Sequence, residues 1–224
     1  MTVSKVGVSQ CYLSSSPELA LYMASFTSVE DLVEGREFIL EPSCGGGAVL
    51  DSIKARGANP ALIKAVEIDQ TLASQAADKG FDVMVKSFKD YSFTEEEGSI
   101  KYVLMHPPFT SPSSDLVYLS HIKKAWDLLA EGGRLVAIVP LSFSYRKDQA
   151  SVDFLSKVVE RYGGWEELVS PEYRLKPSSL GKIALIKLDK LDKQQWSKNF
   201  GQTDTKVKKR VAADNRLKQQ PPLF

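Results

Sequence analysis

The chain has 224 residues, enough for one large domain or a domain with a short appendage. Its 43% hydrophobic and 25% charged residues suit a folded globular protein. No apolar run has the length of a membrane span, and the opening MTVSKVGVSQ lacks the apolar core of a secretion signal. Two cysteines, Cys11 and Cys44, give neither a disulfide framework nor metal-ligand spacing. The expected location is therefore cytoplasmic and the expected chemistry metal-free.

In chain order, SSSPELALYMASF predicts a helix start, with Ser16 as N-cap, Pro17 in the first turn and Glu18 near the positive dipole end. REFILEP is a short apolar strand ended by Pro42. The run Gly45-Gly46-Gly47 then precedes a helix over 48–56. LIKAVEID is a second strand, and a helix over 71–79 is closed by Gly80 at C′. FDVMV makes a third strand and YVLM a fourth, after a loop at EEEGS. An amphipathic helix over 115–130 is expected to stop at Gly132-Gly133, with Trp126, Leu128 and Leu129 in the core and His121 as a surface or packing residue. RLVAIV, almost wholly apolar, reads as a strand buried on both faces. A helix over 150–162 is followed by strands WEELV and KIALIKL with no helix between them, which predicts an antiparallel hairpin with SPEYRLKPSSLG as its loop. The fold class is α/β: a seven-stranded, mostly parallel sheet, its last strand antiparallel, covered by helices on both faces.

In such sheets ligands bind beyond the carboxyl ends of the strands, near the topological switch point. The first strand delivers EPSCGGG, and the second delivers Glu67, twenty residues past Gly47. A glycine turn lets backbone approach a ligand closely, and the acidic residue can accept from two ribose hydroxyls. The dinucleotide fingerprint G-x-G-x-x-G is absent, and no Lys-Ser/Thr pair follows the glycines. Glu41 in this loop would repel a pyrophosphate and tolerate an amino group, as carried by S-adenosylmethionine.

EPSCGGG, VEID, His106-Pro107-Pro108-Phe109, GGRLVAIVP and SSPELALYM together resemble, in order, the motifs of class I S-adenosylmethionine-dependent methyltransferases, most closely the DNA adenine-N6 branch. The resemblance spans about residues 12–188 and implies a methyltransferase domain over 1–189, in which 1–35 closes over the cofactor. It implies that Glu41 and the backbone of Cys44, Gly45 and Gly47 hold the methionine end. Glu67 would bind the ribose, and Ile68 would pack on the adenine beside Phe88. Ser87 stands where the family places an Asp on the adenine amino group, with Asp90 a substitute a little further on. Ser16-Pro17 matches the start of the closing segment.

The family's Pro-Pro-aromatic elbow is opened by Asn, Asp or Ser; here His106 opens it. An exocyclic amine has its lone pair delocalised into its ring. A side-chain acceptor and the carbonyl of Pro107 would together take both amine hydrogens and aim the lone pair at the methyl. Phe109 would stack on a base rotated out of the duplex. A neutral imidazole supplies one acceptor nitrogen and loses it on protonation, so activity is expected to rise with pH through about 5 to 7. Tyr145, Arg146 and Lys147 follow the fifth strand at the same edge and are candidates to touch a phosphate.

The net charge of +1 hides an asymmetry: residues 190–224 carry nine Lys/Arg against three Asp/Glu, and residues 1–189 carry 20 against 25. A basic tail on an acidic body suits DNA, although a solvated terminus explains it equally. The tail is too short and polar for a target-recognition domain. Its end, QPPLF, looks like the peptide that docks on bacterial sliding clamps, with Leu223 and Phe224 filling an apolar pocket and Gln220 a polar one. The expected activity is methyl transfer to adenine N6 in DNA. The alternatives are a methyltransferase-like protein that binds without turnover, acting in DNA modification or anti-restriction, and transfer to an RNA base or a protein glutamine.

Overall fold

The computed structural model describes residues 15–110, 114, 116–173 and 181–191. The fold below is that of the unit Met1–Lys190, and Leu191–Phe224 is a separate unit. The clamp-type residues Gln220, Leu223 and Phe224, Cys11, and 174–180 of the expected hairpin loop lie outside the described residues.

Seven strands, β1 (Glu37–Glu41), β2 (Ile63–Glu67), β3 (Val83–Val85), β4 (Ser99–Met105), β5 (Leu129–Pro140), β6 (Gly163–Glu167) and β7 (Ile183–Lys190), form one sheet in the order β3-β2-β1-β4-β5-β7-β6. Every neighbouring pair is parallel except those of β7, which runs antiparallel to β5 and β6. The chain moves outward from β1 through β2 to β3, then returns to start β4 on the other side of β1. That reversal sets the loops after β1 and β4 side by side at the carboxyl edge, with the end of β2 next to them.

Among the described residues six helices flank the sheet: α1 (Pro17–Ala24), α2 (Ala48–Ala55), α3 (Gln70–Ala77), α4 (Val117–Leu128), α5 (Gln149–Asp153) and α6 (Glu160–Tyr162). A π-helical stretch, Phe154–Val159, joins the last two. The caps follow local chemistry. Ser16 Oγ accepts from Leu19 N at 3.2 Å with Pro17 in the first turn, and Asp69 accepts from Thr71 N and Leu72 N at the start of α3. Leu135–Val139 of β5 are fully buried, as expected for a strand covered on both faces. Leu19 and Met23 of α1 are also fully buried, and side chains of that kind each contribute about 1.5–3 kcal/mol by leaving water.

The glycine pair does a different job from the one expected. The α4 helix ends at Leu128, and Leu129 already lies in β5 opposite Ile100, 2% exposed. Gly132, at φ 76°, and Gly133 sit inside β5, where its register against β4 shifts between Ile100 and Tyr102. A Cβ on Gly133 would lie 2.8 Å from the Lys101 carbonyl oxygen. The glycines therefore let the strand bulge past β4; burial of Leu129, not glycine, ends the helix.

Candidate active site

The loop after β1 is tied to the end of β2 by backbone. Gly45 adopts φ 53° and Gly47 φ 84°, a left-handed conformation that residues with a Cβ rarely take. Gly45 N donates to Glu67 Oε2 at 2.8 Å, and Ile68 N and Asp69 N donate to Glu67 Oε1 at 2.8 Å each. Cys44 N donates to the Val66 carbonyl at 3.0 Å. Glu67 is thus a structural clasp as well as an acidic residue at the edge. Alanine there would leave three N–H groups without their acceptor, so it is not a clean probe of ligand binding. Lys79, beyond α3, reaches back to the Gly46 carbonyl at 2.7 Å and to Asp51 at 2.6 Å. No spacing in the sequence announces that anchor.

Glu41 ends β1 and is 2% exposed. Its Oε2 is buried without a hydrogen-bond partner, and the Leu50 N–H in the first turn of α2 opposes its proton uptake. Burial first, then the carboxylates of Glu67 and Asp51, push the Glu41 carboxyl well above the usual carboxylate range. Burial, then the carboxyl groups of Glu41 and Glu67, also push the Cys44 thiol up, so it is no nucleophile.

The elbow follows β4. His106 is 6% exposed; its Nδ1 lies 3.0 Å from Ser15 Oγ, and its Nε2 is buried with no partner. Phe109 is not displayed as expected. It is 6% exposed, tilted against His106 at 5.5 Å between ring centroids and edge-on to Tyr118 at 6.5 Å. Two prolines hold the extended backbone, and the ring turns back into the core because apolar surface is available there.

The segment before α1 closes over this elbow through Ser15, a residue that the sequence did not single out. Ser16 Oγ also donates to the Glu172 carbonyl at 2.7 Å, and Tyr22 donates to Glu166, so α1 is fastened to β6 and the turn after it. Ser87 accepts from Lys89 N at 3.2 Å and caps a single 3-10 turn, Phe88–Asp90. Lys86 N on the Glu67 carbonyl at 3.0 Å keeps this turn beside β2. Phe88 is 3% exposed and packs on Tyr91 and His121, while Ile68 stands at the rim, 50% exposed. His121 is therefore a packing residue. Asp90 is exposed at the end of that turn. Tyr145 is open to solvent, 68% exposed, whereas Arg146 is held by Asp148 at 2.7 Å; Lys147 is exposed beside them. Among the described residues no group of three or more His, Cys, Asp or Glu is placed to hold a metal ion, and no helix is long and apolar enough to cross a membrane.

Burial lowers the His106 pKa to about 3, which moves the expected acid limb of activity out of the pH 5–7 range. The same shift bears on stability. The unfolded chain takes up this proton near pH 6.5 and the folded chain refuses it until about pH 3, so stability falls as pH drops through that window. Glu41 acts in the opposite sense, because the folded state keeps a proton that the unfolded chain loses. A comparison with His106→Asn cancels Glu41. Between pH 7 and 5, urea unfolding of the wild type should lose about 2 kcal/mol more than that of the variant. Parallel losses would place His106 in contact with water.

Against known proteins, neither a protein-family model nor a curated protein sequence matches the chain. Solved structures do. A Listeria monocytogenes protein assigned as a class I S-adenosylmethionine-dependent methyltransferase is similar at TM-score 0.57 and 17% identity, over 79% of this chain and 59% of that one. The methyltransferase subunit of a type I restriction-modification system from Streptococcus thermophilus is similar at TM-score 0.62 and 15% identity, over 80% and 44%. The plantazolicin methyltransferase BpumL, solved with S-adenosylhomocysteine, gives TM-score 0.50 and 11% identity, over 79% and 84%. The chain spans about half the length of the first two. Its fold is that of the class I S-adenosylmethionine-dependent methyltransferases.

Proposed function

We propose that this chain transfers a methyl group from S-adenosylmethionine to an exocyclic amino group, with adenine N6 in DNA as the acceptor. The observation that carries the reading is the buried, unpartnered Nε2 of His106, held by the proline elbow on the edge that also carries Glu41 and Glu67. The pocket chemistry suits the cofactor. The free Oε2 of Glu41 matches a cationic amino group. Glu67 uses about three of roughly four lone-pair sites on backbone N–H groups and keeps one for a ribose hydroxyl. Cys44, Gly45 and Gly47 would face the methionine end, Ile68 and Phe88 would flank the adenine, and Ser87 would meet its amino group. Ser16 and Pro17 would hold the closing segment.

The cofactor supplies an electrophilic methyl on a sulfonium whose leaving sulfur becomes a neutral thioether. His106 Nε2 and the Pro107 carbonyl would accept the two amine hydrogens, turning the nitrogen lone pair out of conjugation and toward the methyl. The amine gains the C–N bond as the C–S bond breaks, and it then loses one proton to water. His106, with its low basicity, orients and does not keep that proton. Pro108 would stiffen the elbow. DNA as acceptor is supported by the restriction-modification likeness and by the basic stretch 190–224; Tyr145, Arg146 and Lys147 are the contacts we assign to the backbone.

One observation favours a second reading, cofactor binding without turnover: Phe109 is packed against Tyr118 and not available to a base. Methyl transfer from radiolabelled cofactor to unmethylated DNA, to RNA and to protein separates these. Label in adenine N6 is the expected result. Label in RNA or protein alone would reassign the substrate, and tight cofactor binding with no label in any of them would establish the second reading.

A further inference from the structure

We infer that Ser15 is a positioning residue that fixes the tautomer of His106, accepting from Nδ1–H so that Nε2 presents a lone pair toward the acceptor amine. The inference rests on the methyl-transfer reading for its purpose and on geometry for its substance. Ser15 Oγ lies 3.0 Å from Nδ1, and Ser15 is itself buried, 8% exposed. A serine hydroxyl can donate or accept, so the contact alone allows both tautomers. The other nitrogen decides between them. His106 Nε2 is buried without a partner, and a buried orphan N–H is rarer in folded proteins than an under-satisfied acceptor. Placing the proton on Nδ1 gives the only hydrogen-bonded nitrogen its donor and leaves the orphan as an acceptor. Burial excludes the third possibility, a proton on both nitrogens, across the neutral range.

Ser15 is in turn anchored through its chain neighbour. It directly precedes the N-cap Ser16, whose hydroxyl accepts from Leu19 N and donates to the Glu172 carbonyl. A single serine thus couples the start of α1 to the elbow after β4, 91 positions away in the chain. Where an Asn side chain would carry a fixed carbonyl acceptor, a His needs a second residue to choose its acceptor nitrogen.

The chain has two histidines, so long-range proton–nitrogen NMR on uniformly 15N-labelled full-length protein at pH 7 resolves both rings, and His106→Asn assigns them. The expected wild-type spectrum shows His106 protonated at Nδ1 and bare at Nε2. Ser15→Ala should shift the population toward Nε2–H, and Ser15→Thr should restore Nδ1–H. In methyl-transfer assays Ser15→Ala should lower kcat about 10-fold with an unchanged KM for the cofactor, as for a residue that acts through another. A wild-type ring protonated at Nε2, or a Ser15→Ala ring unchanged in tautomer, overturns the inference. If the tautomer responds as expected while neither wild type nor variants transfer methyl, the positioning role stands and the methyl-transfer reading fails.

Discussion

Replacing His106 by alanine is expected to slow methyl transfer by roughly 10²-fold or more, as for the loss of one preorganised hydrogen-bond partner. Cofactor affinity should stay within a few-fold of wild type, because the ring addresses the acceptor amine and not the cofactor. His106→Asn should keep most of the rate, since an amide carbonyl also accepts and needs no chosen tautomer. The cavity left by alanine must be separated from the lost acceptor, and the asparagine variant does this by restoring the acceptor with less volume. Burial holds the ring neutral down to about pH 3, so the wild-type rate should show no limb from His106 between pH 5.5 and 8. Single-turnover assays with labelled cofactor read all of these. Equal rates for His106→Ala and wild type would remove the residue from the mechanism. An inactive wild type beside an active His106→Asn would describe a protein whose elbow binds without reacting.

Glu41→Gln is expected to weaken S-adenosylmethionine binding by about 30–150-fold, the value of a charge-assisted hydrogen bond of roughly 2–3 kcal/mol. It should not weaken the fold. A fully buried carboxyl that must hold its proton against its ordinary acidity is a liability in the free protein, and a neutral amide of the same shape needs no such proton and opens no cavity. Melting temperature should therefore hold or rise while affinity falls, the opposite of what a merely structural residue would do. The proton gives an independent signature. Free Glu41 is raised well above the ordinary carboxylate range by burial and by Glu67, and a cationic amino group arriving at Oε2 pulls its pKa back down. Binding near neutral pH should then release up to one proton, and affinity should strengthen as pH rises. Calorimetry in two buffers of different ionisation enthalpy measures the release. A buffer-independent enthalpy, or a Glu41→Gln variant that still releases the proton, would assign the shift to another group.

The strand–helix alternation was legible because periodicity is local: the five parallel strands through RLVAIV, the Ser16-Pro17 helix start and the hairpin of the last two strands all stand close to where their patterns put them. Glu67 and the glycine turn were legible for the same reason, since a short βαβ unit fixes their separation in space. Gly132-Gly133 was misread because a glycine pair after a helical pattern looks identical whether it stops a helix or lets a strand bulge. Only the β4 register and the Lys101 carbonyl beside Gly133 tell these apart. Phe109 was misread because the sequence shows that a ring follows the elbow and not whether Tyr118 is there to receive it. The Gly45 N–H on Glu67, the Lys79 anchor on Gly46 and the Ser15–His106 contact are long-range pairings between groups with no shared period. Local propensity thus determined which elements form and which residues reach the sheet edge. Tertiary packing alone decided which carboxyl is left without a partner, which nitrogen of His106 is free and which ring is buried, because burial and partnership depend on neighbours distant in the chain.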